Sequence, residues 1–196
     1  MPENVQSFHG PLSERVRALA IAHCAGRRGR LLDVGCGNGL LFDALTPHTD
    51  LQCYGADRSV ELLGEVRHRC AGRVRAVNGM IDRLPFRDRV FDVVACLNTL
   101  LNLPTLAVVE VAFGEMMRIS ADEVIVDIRN AANPYIRFKY WRHRQTADFP
   151  TVAYRLEDIK RIFRANGFSL AAVYPVGINS RPLAWGFVMV GKRAVR

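Results

Sequence analysis

Lysine is almost absent from this chain: of its 27 basic residues only Lys139, Lys160 and Lys192 are lysine, and the rest are arginine. Against 19 acidic residues this gives a formal net charge of +8. A charge carried so largely by arginine follows coding-sequence composition as readily as the needs of a partner. The basic residues are scattered, with none of the blocks of like charge that mark nucleic-acid-binding arms, so nucleic acid is not an expected partner. No apolar run of about 18 residues occurs, so no helix is expected to span a membrane, and a membrane is not an expected partner either. The opening MPENVQSFHG lacks a basic region followed by an apolar one, so no secretory leader is expected. Cys24, Cys36, Cys53, Cys70 and Cys96 are odd in number and form no CxxC pair, so neither a disulfide framework nor a metal site is expected. They read as reduced thiols of a cytoplasmic protein. Internal repeats, linkers and low-complexity segments are also missing.

What is present is a chain of 196 residues, about half of them apolar, long enough to bury its own core as a single domain. Its periodicity alternates. A helix is expected over 12–24, strands over 30–34, 51–57, 74–77, 90–97 and 123–128, and helices over 40–46, 59–70 and 105–119 between them. Residues 130–153 have no clean period. A helix over 156–166 with Gly167 at its stop precedes two last strands, 168–174 and 184–191. Strands alternating with helices predict an α/β fold: a Rossmann-like, mostly parallel seven-stranded sheet with helices on both faces. The final two strands are joined by the short PVGINSRPL, too short for a crossover, which makes that last pair antiparallel. The expected plan is an N-terminal cap segment (1–29), a cofactor-binding half (30–129) and a substrate-side half (130–196).

The stretch LLDVGCGNGLL, 31–41, carries the chemistry. Gly35, Gly37 and Gly39 follow a buried strand and let the backbone approach a ligand at the carboxyl ends of the strands. A dinucleotide site would place Gly or Ala where Leu40 stands. Asp33, two residues before the first glycine, repels a pyrophosphate and attracts a cation, so the ligand end at this loop should carry an ammonium group. Asp57 ends the second strand, where its two oxygens can accept from the two hydroxyls of a ribose. A ribose joined to a cationic amino-acid portion describes S-adenosyl-L-methionine.

At this point the chain resembles the class I S-adenosylmethionine-dependent methyltransferases, in their small-molecule branch. DVGCGNG is similar to their glycine-rich first motif, and YGADRS to their acidic second-strand end. RLPFRDRVFDVVAC resembles the approach to and body of their fourth strand, LNTLLNL the loop after it, and RLEDIKRIFRANGF a late helix with its Gly-Phe turn. The resemblance implies that Gly35, Cys36, Gly37, Asn38 and Gly39 cradle the methionine portion while Asp33 helps hold its amino group. It implies Asp57 at the ribose, Arg58 flanking the adenine, and Leu97 and Asn98 near the sulfonium; a helix cap is the other reading of Asn98. Where the family often has Gly-Asp, this chain has Gly79-Met80. Met80 is therefore expected against the adenine face and the Ile81 N–H at a ring nitrogen, with Asp82 the nearest acid.

Methyl transfer from a sulfonium is a direct displacement and needs orientation more than a dedicated base. The nucleobase-methylating Asn/Asp-Pro-Pro-Tyr motif does not occur after the fourth strand; Asn133-Pro134-Tyr135 follows the fifth and reads as a turn. The acceptor is expected to be a small molecule, acidic or aromatic, met by Phe8 and His9 on one side and NPYIRFKYWRHRQTADF (133–149) on the other, with Tyr135, Tyr140 and Trp141 as substrate-side residues. His9 and His143 are the candidate bases, and His23, His48 and His68 are expected at the surface. Methylation of RNA or protein, or cofactor binding without catalysis, are the alternatives.

Overall fold

In the computed structural model residues 10–144 and 151–194 are described, without the side chains of 143 and 144. The first helix, α1 (Pro11–Cys24), leads into β1 (Arg28–Val34), α2 (Leu40–Leu45), β2 (Asp50–Asp57), α3 (Val60–Arg69), β3 (Arg75–Asn78) and β4 (Phe91–Cys96). Then come α4 (Leu106–Ile119), β5 (Ser120–Arg129), α5 (Pro134–Arg144), α6 (Leu156–Ala165), β6 (Phe168–Val176) and β7 (Gly186–Arg193). All seven strands form one sheet in the order β3-β2-β1-β4-β5-β7-β6. Pairing is parallel from β3 through β5, while β7 runs antiparallel to both β5 and β6. The expected fold class is observed, and the closing hairpin inserts its second strand into the sheet.

The central strands are buried on both faces, which is why they read as continuous apolar runs. Leu32, Val94, Val124 and Val126 face one cluster built with α4 and α6, including Phe113, Met116 and Phe163. Leu31, Val93, Ala95 and Ile125 face a second, built with α1, α2 and α3, including Val16, Phe42 and Val66. Gly191 in β7 is required by this packing: a Cβ there would lie 2.1 Å from the Phe163 ring. All five cysteines are free and buried.

The chain passes from β1 to β2 on one side and returns after β3 to β4 on the other. The carboxyl ends of β1 and β4 therefore flank the switch point, where open α/β sheets bind ligands.

Three local expectations change. Residues 134–144 are helical although they show no apolar period, because α5 turns Tyr135, Phe138 and Trp141 outward and buries only Ile136 deeply among its described side chains. Asn133-Pro134-Tyr135 is not a free turn but the start of that helix. Asn133 Oδ1 accepts from the N–H of Tyr135 (2.8 Å) and Ile136 (3.2 Å), and Pro134 occupies the first helical position, where its missing N–H costs nothing. His23 is half-buried rather than on the surface: its Nε2 lies 2.9 Å from Glu123 Oε2. Glu123, 1% exposed, also pairs with Arg27 and, at 2.8 Å, with Lys192, tying α1 to the amino-terminal end of β5.

Candidate functional site: a cofactor cleft at the switch point

The loop after β1 is held by its neighbours. The N–H groups of Gly35 and Cys36 both donate to the Ala56 carbonyl, at 2.7 and 3.2 Å, and the Gly39 N–H donates back to Cys36 (3.0 Å). Gly35, Gly37 and Gly39 have φ of 75°, 53° and 85°, the left-handed region that side chains disfavour. At Gly35 space is also short, since a Cβ would meet Thr99 Oγ1 at 2.4 Å. That Thr99 hydroxyl points to the carbonyls of Gly35 (3.3 Å) and Leu97 (3.1 Å), joining the loops after β1 and β4. Cys36 and Asn38 are buried within the same turn, and Arg69 Nε donates to the Asn38 carbonyl at 3.1 Å.

Asp57 organises the other wall. Its Oδ2 accepts from the Gly37 N–H (2.8 Å) and its Oδ1 from the Ser59 N–H (2.9 Å). Its carbonyl accepts from the Gly79 N–H and from Asn78 Nδ2, both at 3.1 Å, so the loops after β1, β2 and β3 converge on this residue. Each carboxylate oxygen keeps an acceptor site beyond these bonds. Arg58 is exposed beside it. Met80, 52% exposed, and Ile81, half-buried, follow in a turn closed by the Arg83 N–H to the Met80 carbonyl (3.0 Å). Asp82 is exposed, and among the described residues it forms no ion pair with Arg83 or Arg87.

Asp33 is the unusual group. It lies near the end of β1, 4% exposed, and its Oδ1 is buried without a hydrogen-bond partner. Burial pushes its carboxyl well above the ordinary range, the nearby charge of Asp57 pushes it further, and Arg17 of α1 opposes both. A buried carboxyl with one oxygen unsatisfied is costly, and a cationic ligand group relieves the cost. This orphaned oxygen, a glycine cradle and an acid at the second strand end together fit the ammonium, backbone and ribose of S-adenosylmethionine.

On the far side of the switch point, Leu97 and Asn98 follow β4. Asn98 has a φ of 55° and is held from two directions. Its N–H donates to Asp127 Oδ1 (2.5 Å), and its Oδ1 accepts from Arg129 Nη2 (2.9 Å). Arg129 Nη1 pairs with Asp127 Oδ2 at 2.5 Å. All three residues are buried. The Tyr140 hydroxyl hydrogen-bonds Arg129, and burial raises its pKa against the lowering effect of that guanidinium. The cap reading of Asn98 fails, since its side-chain oxygen accepts from Arg129 and not from a helix N–H. Asp127 and Arg129 were absent from the sequence-predicted set. The available signal was two opposite charges two residues apart at the end of a buried strand, hence on one face.

Tyr135 and Trp141 lie outward on α5, at 59% and 61% exposure. His9 and the His143 side chain lie outside the described residues. The described residues contain no cluster of metal-ligating side chains.

Comparison with known proteins bears on the domain and the fold. Residues 31–123 match the family model described as a methyltransferase domain. The chain is 28% identical over 169 residues to a ubiquinone biosynthesis O-methyltransferase from Methylococcus capsulatus, covering 79% of this chain and 68% of that one. Its fold is similar to magnesium protoporphyrin IX methyltransferase from Synechocystis PCC 6803 crystallised with bound SAH. That match has a TM-score of 0.74 and 18% identity, over 98% of this chain and 86% of that one. A SAM-dependent methyltransferase from Methanosarcina mazei gives a TM-score of 0.77 at 14% identity, over 90% and 98%. Residues 31–123 thus match a methyltransferase domain, the whole fold is similar to that of S-adenosylmethionine-dependent methyltransferases, and the cleft suits S-adenosyl-L-methionine as the methyl donor.

Proposed function

We propose that this enzyme methylates a small-molecule acceptor of aromatic or acidic character by direct displacement. The observation that carries the reading is the hydrogen-bonded path from Asn98 through Arg129 to Tyr140. It ties the loop beside the expected sulfonium to an aromatic, basic helix. The O-methyltransferase likeness, and a structural neighbour whose named substrate is a porphyrin, support a small organic acceptor. Bound S-adenosylmethionine supplies an electrophilic methyl group.

The chain's own residues bind and orient. Asp33 takes the ammonium, Gly35–Gly39 lie along the methionine backbone, Asp57 takes the ribose, Arg58 flanks the adenine, and Met80 and Ile81 cover it. A flexible thioether suits that aromatic surface. Leu97 and Asn98 bound the methyl from the side of β4. Tyr135, Tyr140 and Trp141 form the acceptor-side cover, and orientation within it lowers the barrier. A hydroxyl acceptor must lose a proton; His9 and His143 are the residues proposed to receive it.

The test is transfer from methyl-labelled S-adenosylmethionine to a panel of phenols, quinols and aromatic carboxylic acids, run beside tRNA and a protein extract. Label in an organic product is the expected result. Label in RNA or protein alone would transfer the reading to a macromolecular acceptor.

A further inference from the structure

We propose that α5 and the β6–β7 loop form a docking face for an anionic lipid surface. This goes beyond the methyl-transfer reading and does not depend on the acceptor. Tyr135, Phe138 and Trp141, spaced three apart and so on one side of the helix, are 59%, 59% and 61% exposed. Ile178, Leu183 and Trp185 in the adjacent loop are 47%, 49% and 37% exposed. The two groups are continuous: the Tyr135 and Trp185 rings lie 6.5 Å apart. They are also fixed to each other. Asn130 Nδ2 donates to the carbonyls of Arg181 (3.1 Å) and Ala184 (3.0 Å), and Asn133 Nδ2 to that of Leu183 (2.7 Å). The same Asn133 caps α5.

Charge selects the occupant. Arg137, Lys139, Arg142 and Arg181 are exposed around these rings. No Asp or Glu occurs between Asp127 and Asp148, or anywhere after Asp158. Aromatic rings at the crest of a helix, with long basic side chains beside them, suit the boundary of headgroup and acyl chain, where rings sit shallowly and cations reach phosphate. A second copy of this chain would set these cations against like charges in a symmetric contact. A nucleic acid would leave the aliphatic Ile178 and Leu183 without a base to stack. The expectation that no membrane is a partner considered spanning segments; this contact is peripheral and needs none. It would bring the carboxyl-end face of the sheet against the lipid.

The experiment is co-sedimentation of the full chain with mixed phosphatidylcholine–phosphatidylglycerol vesicles and with pure phosphatidylcholine vesicles, at low and high salt. Binding to the mixed vesicles is expected, weaker on the neutral ones and weakened by salt. The variant F138S/L183S and, separately, R137Q/K139Q/R142Q should each lose about tenfold or more in vesicle partitioning. Both should bind SAH as the unaltered chain does, which shows that they fold and keeps this test separate from that of the methyl-transfer site. Failure of the unaltered chain to bind mixed vesicles overturns the proposal. So does equal partitioning of the variants, or the same residues being needed instead for an RNA oligonucleotide or for a dimer.

Discussion

Replacing Asp33 by Asn should make the enzyme more stable and a poorer binder of its cofactor. Asn keeps the shape and removes the charge. In the wild-type protein Oδ1 is buried without a partner, and the carboxyl titrates well above its ordinary range because of burial first and the charge of Asp57 second. An unsatisfied buried polar group costs about 1–3 kcal/mol, so removing its charge should gain about 1 kcal/mol and raise Tm by about 2–4 °C for a chain of this size. The sign with pH follows from the raised folded pKa. The stability contributed by Asp33 is complete below its unfolded value, about 3.9, and is lost as pH rises towards the folded value. The advantage of the variant should therefore grow with pH and vanish in acid. Cofactor binding moves the other way. Losing a charge-assisted bond of about 1.5–3 kcal/mol should weaken SAH binding roughly tenfold to a hundredfold. Calorimetry in buffers of different ionisation enthalpy should also detect a proton released on binding by the wild type and not by the variant. A variant that binds SAH as tightly as the wild type, or is less stable at neutral pH, would refute the reasoning.

The parts of this fold that could be read in the sequence are those where local pattern and tertiary role agree. Strands buried on both faces read as apolar runs, and Ser59 has the side chain of a helix cap and acts as one, accepting from the Leu62 N–H. A loop too short for a crossover implied the antiparallel closing pair. The glycine loop and the strand-end carboxylates of the candidate cofactor cleft were legible because their placement is local to strand ends. The acceptor side was not. Helix α5 buries so little that its period is masked by outward aromatics. The Asn98–Arg129–Asp127 network joins residues about thirty positions apart, which no local pattern records. The partners of Glu123 lie further still along the chain: His23 is 100 positions away.

Three further measurements test the remaining arguments. Gly35→Ala should weaken SAH binding and lower stability, because φ of 75° costs a side chain about 1–2 kcal/mol and the new methyl meets Thr99 at 2.4 Å; unaltered binding and melting would show that the two loops part freely. Glu123→Ala should cost about 1.5–3 kcal/mol in denaturant unfolding, since it removes the carboxylate shared by Arg27, Lys192 and His23, which remain partly solvated. Burial raises the Glu123 pKa, but the bonds from Arg27, Lys192 and His23 outweigh it and bring it to about 2. Its contribution should hold above the ordinary carboxylate range and disappear as pH falls towards 2, so wild type and variant should converge in acid. The last prediction concerns Tyr140. Its hydroxyl meets Arg129, and Arg129 holds the Asn98 side chain, whose N–H is fixed in turn by Asp127. Removing the hydroxyl in Tyr140→Phe takes one bond from a guanidinium that keeps two others, so the fold should survive with a loss of about 1 kcal/mol. SAH contacts none of the removed atoms in this account, and its affinity should not change. Turnover should fall, because the loop beside the methyl group loses its tie to the helix that covers the acceptor. Weaker SAH binding with turnover intact would place Tyr140 on the cofactor side and break the proposed path.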